Sequence, residues 1–242
     1  MTPPRIEVHD SSESLATAAA GELLTRLADA QAAGATPQIG LTGGSIAEAV
    51  HREVARLSAG SEVDWSQVVV WWGDERFVAP DSPDRNAVAA RAEFLSVVGA
   101  DPAHVHEIPS TADAADVAAG AAAYAEELRR EGSGEFDVLM LGVGPDGHIA
   151  SLFPGYPQLD VDDQIAVPVT DSPKPPPERI SLTFPALNRS RSVWFLVSGE
   201  EKSEAVARAL AEGTDPHDTP AAGVAGLEET IWFLDRDSAS HL

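Results

Sequence analysis

Cysteine is absent from this chain. It therefore has no disulfide framework, thiolate metal site or cysteine nucleophile, and the absence fits a reducing cytoplasm. Lysine is nearly absent too, with only Lys174 and Lys202. Lys and Arg together number 16 against 39 Asp and Glu, a formal net charge of −23. Such a charge repels a nucleic-acid backbone, so no nucleic-acid partner is expected. It leaves room for a small phosphorylated ligand, because a local field can oppose the global one. Away from such a site the acidic surface reads as a solubility device. No apolar run reaches the ~18 residues of a membrane span. Residues 1–8 lack the apolar core of a secretory signal. No G-x-S-x-G elbow is present. His51, His104, His106, His217 and His241 show no metal-ligand spacing, so no metal is expected.

Hydrophobic residues make up 43% of the 242, enough for one large α/β domain or two small ones. Without a linker or repeat, residues 1–242 read as a single domain, expected to act as a monomer. Helices are expected over residues 14–33, from 45 to about 57, and over 86–98, 112–130 and 201–211. Strands are expected at 38–41, 68–72, 104–108, 136–141, 165–169, 179–183, 192–197 and 230–234. This alternation, with apolar rather than alternating strands, predicts a mostly parallel sheet flanked by helices on both faces. Ligands in such sheets sit at the carboxyl ends of the strands.

Four turns fall at those ends. Gly142, Gly144 and Gly147 spell G-x-G-x-x-G after the strand at 136–141, the pattern of a dinucleotide site. Pro154, Gly155 and Pro157 break the chain too soon for the required helix, and Asp146 would repel a pyrophosphate. The same turn carries His148 two residues after Asp146. An imidazole can take a proton at neutral pH, so His148 is a candidate general base oriented by Asp146. The competing reading is a histidine that merely caps its turn. Thr42, Gly43, Gly44 and Ser45 form a strand-to-helix turn without a Walker lysine, suited to a single phosphate. Ser45 also reads as an ordinary helix cap. Asp74, Glu75 and Arg76 follow a buried strand directly, which argues against a chance surface ion pair. Asn86, closing a proline-punctuated loop, reads as another helix cap. Lys202 lies in the first turn of a helix, against the macrodipole, as if facing an anion. Arg179 opens a strand after the proline loop at 173–177.

Together these motifs resemble the 6-phosphogluconolactonase family. The matching pieces are residues 41–45, 72–86, 141–154, 177–183 and 232–235, in order across nearly the whole chain. The resemblance implies a modified Rossmann-like domain of the kind found in glucosamine-6-phosphate deaminase. It also implies cofactor-free hydrolysis of 6-phospho-D-glucono-1,5-lactone in the oxidative pentose phosphate pathway. By resemblance, His148 activates water, Asp146 holds its tautomer, Arg76 binds or polarises the lactone and Asp74 shapes that wall. Gly43, Gly44, Ser45, Arg179 and Lys202 are then expected to hold the phosphate. Two alternatives stand beside this. A deaminase of the same fold continues the His-Ile-Ala segment with Phe-Asn-Glu, where this chain has Ser151, Leu152 and Phe153. A sugar-phosphate sensor domain accompanies a helix-turn-helix, for which the chain has no spare segment.

Overall fold

The computed structural model describes residues 3–242. Strands β1 (Arg5–His9), β2 (Gln38–Leu41), β3 (Val69–Trp72), β5 (Phe136–Gly142), β8 (Ser190–Val197) and β9 (Glu229–Asp235) form one sheet. Its order is β1-β9-β8-β5-β2-β3 and every pairing is parallel. All residues of β2 and β3 are buried, so both faces of the sheet are covered there. Their unbroken apolar character follows from that double burial. A second, antiparallel sheet joins β4 (Asp74–Arg76), β7 (Arg179–Leu182) and β6 (Ala166–Val169) in the order β4-β7-β6. Side chains from both sheets join one hydrophobic core.

The helices are α1 (Ser12–Ala32), α2 (Ser45–Ser58), α3 (Asn86–Ala90), α4 (Ser96–Val98), α5 (Val117–Glu131), α6 (Phe184–Leu187) and α7 (Ser203–Leu210). A π-helical turn, Arg91–Leu95, joins α3 to α4, so residues 86–98 run as one helical stretch. α1 packs on α2, and α5 packs against β6 and β7.

Three expectations need correction. Residues 104–108 form no strand: a 3-10 turn, Pro102–His104, leads to a single bridge between Val105 and Val70. The prolines at 102 and 109 bracket the segment too tightly for a ladder. The helix expected from 112 begins at Val117, where Asp116 accepts the Ala119 N–H at 2.8 Å as its cap. Ser45 is not a cap either. It is the first residue of α2, and Gly44 occupies the cap position with φ +98° and no side-chain bond.

Candidate active site

The carboxyl ends of β2, β5 and β8 and the small strand β4 surround a cavity of about 260 Å³. Gly43, Gly44 and Ser45 line it from β2, and His148 lines it from the turn after β5. Asp74 and Arg76 line it from β4, Arg179 from β7 and Lys202 from the turn before α7. The structure thus brings together all the candidate residues except Asp146, which stands behind His148. A smaller cavity of about 210 Å³ adjoins it, sharing Gly43, Arg76 and Asn86. A larger groove of about 560 Å³ past Leu95, Glu107 and Asp113 contains none of these candidates.

The turn after β5 is shaped around the imidazole. No helix starts at Gly147, so the dinucleotide pattern lacks its required context. The His148 Nδ1 meets Asp146 Oδ1 at 2.5 Å, and Gly144 N–H donates to the His148 carbonyl at 2.9 Å. A Cβ at Gly144 would stand 2.0 Å from His148 Nδ1, so only glycine fits there. The imidazole packs on Phe153, ring centroids 4.7 Å apart. With Nδ1 engaged, Nε2 is the nitrogen left for a ligand. Burial raises the Asp146 carboxyl, but the hydrogen bond and charge of His148, with Lys174 nearby, bring it down to about 2. Asp146 is therefore ionised at any working pH. Ala150 has φ +45°, an uncommon conformation for a residue with a Cβ. The next residue, Ser151, donates its hydroxyl to Asp74 Oδ2 at 2.6 Å, tying the turn to β4.

Arg76 Nη1 donates to the Asp84 carbonyl at 3.1 Å and to Asn86 Oδ1. Arg179 is 5% exposed, and two of its three nitrogens are engaged. Nε donates to the Pro176 carbonyl at 3.1 Å, and Nη2 to those of Lys174 and Pro175 at 3.0 and 3.3 Å. Its guanidinium lies 5.9 Å from the Phe153 ring centroid. Burial lowers its pKa.

No role for Lys174 is legible in the sequence and Asn86 reads there only as a cap, yet both line the cavity. The scarcity of lysine was the usable pointer: both lysines of the chain stand in this wall. Neither takes part in an ion pair among the described residues. Burial pushes the Lys202 ammonium below its usual value; Glu201 opposes this and the Lys174 charge adds to it. Three of the other histidines are engaged elsewhere. His104 bonds the Ser66 carbonyl at 2.8 Å, His106 bonds Glu127 at 2.8 Å, and His217 sits between Asp160 and Asp215.

A family model described as glucosamine-6-phosphate isomerases/6-phosphogluconolactonase matches residues 10–232. A Streptomyces coelicolor protein named 6-phosphogluconolactonase is 43% identical, the match covering 99% of this chain and 95% of that one. The crystal structure of a 6-phosphogluconolactonase from Thermotoga maritima has a TM-score of 0.84 at 25% identity, covering 96% of this chain and 99% of that one. A monomeric glucosamine-6-phosphate deaminase shares the fold, with a TM-score of 0.83 at 21% identity, covering 98% of this chain and 100% of that one. Match and fold agree over nearly the full length, and this chain belongs to the glucosamine-6-phosphate isomerase/6-phosphogluconolactonase family.

Proposed function

We propose that this chain hydrolyses 6-phospho-D-glucono-1,5-lactone to 6-phospho-D-gluconate, the lactone-opening step of the oxidative pentose phosphate pathway. The observation that carries the reading is His148, held by Asp146, facing a cavity with four cationic side chains. Asp146 accepts the Nδ1 proton, which leaves Nε2 unprotonated and able to take a proton from water. The resulting hydroxide attacks C1 of the lactone. The C1–O5 bond breaks, O5 receives the proton from Nε2, and the open-chain acid leaves. Arg76 offers positive charge where the carbonyl oxygen becomes anionic. A δ-lactone is an activated ester, so a positioned base worth about 10²–10⁴-fold and such charge stabilisation are a sufficient apparatus. The phosphate lies against Lys174, Lys202 and the uncapped N-terminus of α2 at Gly43, Gly44 and Ser45, where free N–H groups favour an anion. Arg179 acts mainly by holding the loop that carries Lys174. The whole chain works as one domain, in the cytoplasm and as a monomer, without nucleic acid. Among the described residues no helix is long and apolar enough to cross a membrane.

Relatives named 6-phosphogluconolactonase at 43% and 41% identity support hydrolysis over deamination. Phe153 supports it too. It packs on the imidazole where the deaminase pattern has an acid, and a phenyl ring transfers no proton. The test is lactone hydrolysis, corrected for the spontaneous rate, beside ammonia release from glucosamine 6-phosphate. Hydrolysis without ammonia release is expected, and His148→Ala should lower the rate by roughly 10²–10⁴-fold. A wild-type chain inert towards the lactone would sink the reading; a His148→Ala variant near wild type would sink only the role of His148.

A further inference from the structure

Strand β4 carries three charged residues in a row, and only the outer two line the cavity. Glu75 points to the opposite face, as alternation along a strand requires, and is 0% exposed. Its Oε1 accepts the N–H groups of Arg76 at 2.8 Å and Asn86 at 2.9 Å, and its Oε2 accepts that of Ala87 at 2.9 Å. Asn86 and Ala87 begin α3, where helix geometry leaves N–H groups without partners. Arg85, at the cap position, makes no capping bond. Glu75 supplies the cap from another element, and its charge suits that end of a helix. The capping expected of Asn86 is thus done by Glu75, and the Asn86 amide is released to the cavity. There Nδ2 donates to the Asp74 carbonyl at 3.1 Å and Oδ1 accepts from Arg76. One carboxylate therefore grips the Arg76 backbone and, through Asn86, the Arg76 guanidinium. The buried Arg85 guanidinium completes the support, donating to the carbonyls of Ile108 at 2.6 Å and Arg76 at 3.4 Å.

We propose that Glu75 is a positioning residue for lactone hydrolysis: it sets the Arg76 guanidinium through the Arg76 and Asn86 backbone N–H groups and the Asn86 amide. The proposal rests on the lactonase reading. Its test is a double-mutant cycle of wild type, Glu75→Gln, Arg76→Ala and the double variant, read by lactone turnover and by thermal unfolding. The carboxamide introduced by Glu75→Gln would turn an N–H donor towards the Ala87 N–H and displace the start of α3. Glu75→Gln is expected to lower kcat roughly 10- to 100-fold, the cost of about 1 Å of misplacement, with KM little changed. In the Arg76→Ala background the same substitution should cost no further activity, while its loss of Tm persists. Losses of activity that multiply would overturn the proposal, because a purely structural glutamate acts regardless of Arg76. If Glu75→Gln does not fold, Glu75→Asp, which keeps the charge and shortens the reach, enters the same cycle with the same two outcomes. A wild-type chain inert towards the lactone overturns the functional reading first, and this role with it.

Discussion

His148 and Asp146 lie two residues apart in one turn, which makes their pairing local. Asp146 keeps its charge down to about pH 2, so it accepts the Nδ1 proton throughout the working range. Asp146→Asn keeps the shape but can present a donor to Nδ1, which would put the imidazole proton on Nε2 and remove the base. kcat should fall by roughly 10²–10⁴-fold, as for loss of general-base catalysis, with KM little moved. Turnover close to wild type would mean the tautomer is set by something else. This pair was legible in the sequence because its contact is short-range. Lys174 was not, because its place in the wall depends on a loop folded back against β7. Asn86 was misread for a related reason: its cap comes from Glu75, eleven residues earlier on another element.

The loop between β6 and β7 shows what an element can do that its residues cannot. Arg179 binds three successive carbonyls, those of Lys174, Pro175 and Pro176, and the Ser172 hydroxyl donates to the first of them at 2.9 Å. The prolines contribute no N–H of their own, so the loop's accepting atoms are what a guanidinium can hold. Lys174→Ala and Arg179→Ala should both raise KM with smaller effects on kcat. The double variant should bind little worse than Arg179→Ala alone. A collapse of kcat with KM unchanged in Arg179→Ala would place that guanidinium at the reacting carbon instead. The long apolar strands of the parallel sheet were readable from composition. The antiparallel sheet was not, since β4 has three residues and its partner β7 lies about a hundred residues downstream. β1 also escaped, as an edge strand whose Ile6 and Val8 are 44% and 53% exposed.

At the scale of the whole molecule, stability also depends on groups that do not line the reaction cavity. His51 on α2 is buried and stacks on Phe94, ring centroids 5.5 Å apart. Burial pushes its imidazole down to about 4, with the Arg52 charge adding to the shift. In the unfolded chain the same group takes a proton at its ordinary value of 6.5. Stability on this account is full above pH 6.5 and declines as pH falls towards 4, by about 3 kcal/mol in all. Denaturant unfolding at neutral and acid pH should show a smaller acid loss in His51→Leu than in wild type. Equal losses would assign the linkage to other groups. The acidic surface, meanwhile, leaves the chain with just two ε-amino groups, and both stand in the cavity wall. Coupling to a surface or a dye through ε-amines would therefore fill the ligand's seat, whereas attachment through any of the many outlying carboxylates would leave it open.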